Sequence, residues 1–236
     1  MAAKGSVPAI RVKMLRPTVP QSQRFRRTLF AWYERHGRSF PWRETRNPYR
    51  VLIAELFLQK TQAKQVHPIY LEFLRKFPTL KSLARARAQR IKAAIWSLGL
   101  LGRARHLKEM AQMLGEKFDG RIPSTEAELL QLKGVGRYVA NAVLCFAFDQ
   151  RRAVVDANVV RLLSRYFGIK SRKDRAHTDS LMWEAAQSLV PRRRVKEFNW
   201  GVFDFAALVC TSQNPRCGQC VLREWCRWPH KKLGER

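Results

Sequence analysis

The sequence predicts an all-α fold, and three observations carry that prediction. Apolar residues recur at helical spacing along most of the 236 residues, strand-like alternation joined by hairpin turns is nearly absent, and glycines and prolines fall at intervals suited to helix ends. The chain is 46% hydrophobic yet holds no uninterrupted apolar run of about 18 residues, so it can bury a core and offers no membrane span. Its length suits one large domain or two small interlocked ones.

Residues 1 to about 20 read as a flexible basic arm, because Pro8, Pro17 and Pro20 discourage regular structure and no acid occurs in the first 33 residues. A signal peptide is not indicated, and a transit peptide is poorly supported. Helices are then expected over about 22–36, 48–60, 63–76, 88–97, 103–117, 125–132, 137–148, 157–167, 177–189 and 195–209. The breaks fall at Pro41, Pro48, Gly99 with Gly102, Gly120 with Pro123, Gly134 with Gly136, Gly168 and Pro191. There is no internal repeat and no low-complexity block.

Charge narrows the partner. Forty-six Lys and Arg against 18 Asp and Glu give a net +28, which implies a polyanion, either nucleic acid or an acidic membrane surface. Arg24, Arg26, Arg27, Arg85, Arg87, Arg90, Arg103, Arg105 and Arg192 to Arg194 punctuate helical segments, so the charge belongs to a folded face as well as to the arm.

Four of the five cysteines are spaced Cys210-x6-Cys217-x2-Cys220-x5-Cys226, just after an apolar helix. A disulfide framework suits a small secreted domain, whereas a large basic chain without an export signal suits a reducing compartment and a metal site. Four thiolates can hold zinc or an iron–sulfur cluster, and spacing alone does not separate them. Cys145, in the run Val143–Phe148, reads as a buried core thiol.

Leu132-Lys133-Gly134-Val135-Gly136-Arg137 lies between two helical segments, and its glycines allow a tight turn that offers backbone N–H groups to a phosphate. Asp156, ahead of the periodic stretch from Ala157, is a good helix N-cap. It is also a carboxylate able to stabilise positive charge on a sugar or to activate water. Glu55 sits in Val51–Leu58, a helix apolar nearly all round. An ionised carboxylate is costly there, so it should be paired, protonated, or set at a pocket that handles protons.

These segments resemble, in the same order, the helix-hairpin-helix (HhH-GPD) DNA glycosylase superfamily of endonuclease III and MutY. The resemblance runs from about residue 24 to 228. The cysteine loop is similar to the one that carries a [4Fe-4S] cluster there; Lys133 to Arg137 resemble the hairpin; Val154-Val155-Asp156-Ala157-Asn158 resemble the catalytic-aspartate segment. Phe40-Pro41-Trp42-Arg43 and Glu55 to Gln62 resemble the MutY pocket helix. Tyr138 stands where endonuclease III has its Schiff-base lysine, implying a monofunctional enzyme with weak or no lyase activity. Leu100 and Leu101 replace two MutY tyrosines, and Lys60 a glutamine. Stretches around Val155–Asn158, Arg165–Gly168, Glu197–Asn199 and Phe203–Ala206 look closest to the MIG-type thymine-DNA glycosylases.

The resemblance implies a cleft for DNA between two helical domains, residues 40–150 as a six-helix barrel and residues 21–39 with 151–236 as a discontinuous domain bearing the cluster loop. It implies Asp156, Tyr138 and Glu55 as catalytic groups. Gln59, Lys60, Leu100, Leu101, Lys133, Gly134, Val135, Gly136 and Arg137 are the implied DNA contacts. The expected reaction is removal of thymine or uracil mispaired with guanine in double-stranded DNA. Removal of adenine opposite 8-oxoguanine or guanine and a non-catalytic iron–sulfur DNA-binding module are the alternatives. A cytoplasmic, nucleoid-associated prokaryotic monomer with no membrane partner is the expected setting.

Overall fold

The computed structural model describes residues 17–99 and 102–228; the arm up to residue 16, and Leu100 with Leu101, lie outside them. Among the described residues every regular element is helical: α1 (Val19–His36), α2 (Pro48–Leu58), α3 (Ala63–Lys76), α4 (Leu80–Arg85), α5 (Ala88–Ala94), α6 (Arg103–Lys117), α7 (Glu126–Leu129), α8 (Arg137–Phe146), α9 (Ala157–Phe167), α10 (Ser180–Leu189) and α11 (Val195–Leu208), with short 3-10 turns between some of them.

The departures from expectation at α1, α4 and α10 have local reasons. Helix α1 starts inside the stretch expected to be irregular, because Thr18 and Gln21 form a capping box and Pro20 falls in the first turn, where its missing N–H costs no hydrogen bond. Helix α4 falls between residues 76 and 88, where no helix is expected from the sequence; its six residues are too few to show a period, yet Thr79 and Ser82 cap it reciprocally and Leu80 and Leu83 anchor it. Helix α10 begins later than expected, at Ser180, because the Asp179 carboxylate caps it by accepting from Leu181 N–H.

The apolar faces close into two cores. The first surrounds α2, which is buried from Val51 to Phe57, with Phe73, Ile91, Met110, Leu114 and Val143 packed about it. Helix α2 lies against α3 and α8, and α6 against α4 and α5. Being central explains why α2 is apolar on all sides. The second core joins α1, α9, α10 and α11 through Phe25, Leu29, Leu163, Met182 and Phe205. Burying each such side chain is worth about 1.5–3 kcal/mol.

The cores meet along the extended segment before α9. Val154 packs into the first core, while Ala153 and Val155 pack into the second, as the two-residue period of extended chain requires. Asp204 on α11 bolts the junction: it is fully buried and its oxygens accept from Arg43 Nη1 and Nη2 at 2.8 and 2.9 Å and from Arg38 Nε at 2.8 Å. Burial alone would raise the Asp204 carboxyl, but the two guanidiniums prevail and hold it below the usual value. No described helix is long and apolar enough to cross a membrane.

Candidate active site

Glu55 is 4% exposed, and the Tyr138 hydroxyl donates to its Oε2 at 2.8 Å. Helix α2 delivers the acid from the middle of the first core; α8 delivers the phenol from its second residue. Burial pushes Glu55 up to about 7, against the opposing pull of the Tyr138 hydrogen bond and the Arg43 charge, and the Asp156 charge adds to the rise. Burial, followed by the charges of Glu55 and Asp156, also drives Tyr138 well above its ordinary value, so it remains a donor. Of the three fates open to Glu55, the structure shows the pairing, and its burial favours the protonated form.

Asp156 caps α9, its Oδ1 accepting from Val159 N–H at 2.8 Å. Its Oδ2 accepts from Asn158 Nδ2 at 2.7 Å, and Asn158 Oδ1 accepts from Arg161 Nη1 at 3.0 Å. Arg161 continues to the carbonyls of Ala206 and Cys210, both at 2.9 Å. The aspartate is therefore partly exposed but held at both oxygens, and it lies near enough to Glu55 and Tyr138 for its charge to act on both.

The hairpin sits beside this group. Gly134 has φ +81°, while Gly136 has φ −99° and open space where a Cβ would stand. Only the first glycine is conformationally required, which narrows the expectation that both are. Gly134→Ala is expected to destabilise the fold by about 1–2 kcal/mol, the usual cost of a left-handed residue, and Gly136→Ala to leave thermal melting nearly unchanged. Equal losses in the two melts would contradict this assignment.

Gln59 Nε2 donates to the Gly134 carbonyl at 3.2 Å, and Arg103 caps the end of α2 through the carbonyls of Leu56 and Gln59 at 2.6 and 3.1 Å. Lys60 is exposed at the tip of this turn with φ +61°. Gln59 and Arg103, together with Lys133 and His106, border one concavity beneath the hairpin. Arg137 is drawn aside, its guanidinium 4.2 Å from the centre of the Trp183 ring.

Sequence reasoning missed Arg43, Arg38 and Asp204 as site groups. The signal for Asp204 was an acid in an apolar helix, the same that exposed Glu55; the signal for Arg43 was its place in Phe40-Pro41-Trp42-Arg43. Neither reveals a partner.

Cys210, Cys217, Cys220 and Cys226 line a single concavity with Leu162, Phe205, Val209 and Leu222. Arg165 Nη1 lies 3.6 Å from Cys210 Sγ, and Cys226 Sγ lies 3.5 Å from the Arg165 carbonyl oxygen. An N–H donor on sulfur in an apolar bowl is what a thiolate-bound cluster needs. No three Cys, His, Asp or Glu side chains among the described residues converge on a single-ion site.

The hairpin thus lies beside a buried acid hydrogen-bonded to a phenol and a carboxylate held at both oxygens. With the matches that follow, the class is that of a DNA repair glycosylase. The chain belongs to the HhH-GPD superfamily of base excision DNA repair proteins, whose model matches residues 53–188. The iron–sulfur binding domain of endonuclease III matches residues 210–226, the stretch that contains the four cysteines, and the cofactor is a [4Fe-4S] cluster. The chain is 42% identical over 205 residues to the thymine-DNA glycosylase of Aeropyrum pernix, covering 85% of this chain and 92% of that one. It is 45% identical over 203 residues to the thymine/uracil-DNA glycosylase of Pyrobaculum aerophilum, covering 84% and 88%. Among solved structures, a thermostable thymine-DNA glycosylase superimposes with a TM-score of 0.83 at 36% identity, covering 88% of this chain and 95% of the other.

Proposed function

We propose that this glycosylase is monofunctional and removes thymine or uracil mispaired with guanine from duplex DNA. The carrying observation is the Tyr138–Glu55 hydrogen bond: the second residue of α8 is a phenol tied to an acid, so it offers no amine for a Schiff base, and the base must leave by water attack. The thymine- and uracil-removing relatives support the choice of base.

In this reading the mispaired nucleotide is cheaper to extrude than a paired one, and the protein meets the flipped base with a protonated Glu55. Tyr138, donating to Oε2, leaves the other carboxyl oxygen to carry the proton toward the departing base. Asp156, fixed by Val159 N–H and Asn158, stabilises positive charge at the sugar or activates the incoming water. Lys133 to Arg137 grip the phosphate backbone, and Gln59 and Lys60 approach the distorted pair. Cys210, Cys217, Cys220 and Cys226 would hold the [4Fe-4S] cluster, which would brace this loop against the DNA. The two cores act as two domains flanking the DNA cleft, residues 40–150 and residues 21–39 with 151–236. The protein works as a monomer on nucleoid DNA.

Duplexes carrying T:G, U:G, A:G and A:8-oxoguanine, treated with alkali after incubation, test the base. Abasic sites are expected at thymine and uracil; cleavage confined to the adenine duplexes overturns the assignment. Borohydride added during turnover is expected to trap no adduct, and a robust covalent product contradicts the monofunctional reading.

A further inference from the structure

The extended segment 151–155, which leads into Asp156, lies between the two cores with no neighbouring strand among the described residues, yet its backbone groups are paired on both edges. Gln187 of α10 accepts from Ala153 N–H at 2.8 Å and donates to the Arg151 carbonyl at 3.0 Å. Asn199 of α11, 4% exposed, accepts from Val154 N–H at 3.0 Å and donates to the Arg152 carbonyl at 3.0 Å. Each amide side chain thus makes the two-bond, donor-and-acceptor contact that a neighbouring strand would make. The contacts alternate along the segment, Gln187 taking residues 151 and 153 and Asn199 taking 152 and 154.

Both amides are set on anchored ground. Asn199 Nδ2 also donates to the Val195 carbonyl at 2.9 Å, one turn back on its own helix, and the Val190 carbonyl just past the end of α10 receives Arg151 Nε and Nη2 at 3.0 and 2.6 Å. Because the segment's side chains divide between the cores, apolar packing sets which way each residue faces but leaves sliding along the strand axis to the hydrogen bonds. A displacement of about 1 Å at a catalytic group is enough to lower a rate on the order of 100-fold.

We propose that Gln187 and Asn199 are positioning residues for the glycosylase reaction, a two-amide clamp that fixes the register of residues 151–154 and thereby the place of the Asp156 carboxylate. This rests on the reading of Asp156 as a catalytic group. Neither amide touches substrate in this scheme; each acts through the backbone two to five residues ahead of the aspartate.

The test uses full-length, cluster-loaded protein in single-turnover assays on a T:G duplex, with Gln187→Leu, Gln187→Glu, Asn199→Asp and Asp156→Asn measured side by side. Gln187→Leu removes both bonds at a half-buried position and is expected to lower the maximal rate about 10- to 100-fold. Half-saturating protein concentration, affinity for an uncleavable abasic-analogue duplex and cluster absorbance should stay at the wild-type level. Gln187→Glu and Asn199→Asp keep the acceptor for the segment's N–H groups, and each is expected to lie between Gln187→Leu and wild type in rate. Wild-type rates in all three clamp variants, with Asp156→Asn inactive, overturn the clamp alone. Full activity in Asp156→Asn overturns the catalytic reading beneath it. Loss of duplex affinity or cluster absorbance in parallel with the rate marks the amides as general scaffold and also overturns the proposal.

Discussion

Replacing Asp156 by Asn is expected to lower the single-turnover rate by on the order of 1000-fold or more while the protein still folds and binds duplex. The expectation follows from the two jobs held by one carboxylate. As an N-cap, Oδ1 accepts from Val159 N–H, and asparagine caps a helix about as well as aspartate. In the proposed role as a charge beside the sugar, the carboxylate has no counterpart in the amide, and loss of one preorganised electrostatic partner costs about 100- to 1000-fold by itself. The amide brings a second penalty: its nitrogen would face Asn158 Nδ2, which now donates to Oδ2 at 2.7 Å. Asn158 must turn over, and Arg161 then loses the acceptor it holds at 3.0 Å. Thermal melting should shift by only a few degrees, and gel-shift affinity for a T:G duplex should hold. Turnover close to wild type removes Asp156 from the mechanism.

Glu55→Gln is expected to make the protein more stable and far less active. The folded carboxyl titrates at about 7, raised from 4.5 chiefly by burial, so the folded state binds more protons than the unfolded chain between those values. Unfolding free energy therefore falls as pH climbs from about 4.5 to about 7 and is flat above. The penalty at pH 8 is about 3 kcal/mol, since each tenfold change in proton affinity corresponds to about 1.4 kcal/mol. Glutamine carries no such charge and keeps an oxygen for the Tyr138 hydroxyl. Chemical denaturation should show the variant gaining about 1–3 kcal/mol at pH 8 and nothing near pH 4. Its single-turnover rate should drop about 100- to 10,000-fold, the range for losing a positioned acid. Wild-type rate is expected to decline above about pH 7, where Glu55 loses its proton, and this decline should be absent from what activity the variant keeps. A variant that is less stable at pH 8, or that retains the alkaline decline, contradicts the assignment.

The same acid shows how much of the site was legible in the chain. Its cost in an apolar helix could be read from Val51–Leu58, and so could the menu of remedies. The remedy chosen could not, because Tyr138 lies 83 residues away and meets Glu55 only when α8 packs on α2. Asp204 repeats the lesson, since its partners Arg38 and Arg43 are more than 160 residues distant. The clamp on residues 151–154 belongs here too: Asn199 and Gln187 look like ordinary polar residues until their helices flank the segment.

What the sequence determined by itself is local or covalently spaced: the all-α class, the N-cap at Asp156, the glycine-bearing turn between two helices, and the spacing of the four cysteines. Caps, turns and ligand spacings act within a few residues of themselves, so chain order suffices to read them. Which side of a helix meets which neighbour is set by how two apolar cores close on each other. Only the tertiary structure could decide that Glu55 shares a proton-bearing contact with Tyr138, that Asp204 is neutralised by two arginines, and that amides on two other helices hold the segment leading into Asp156.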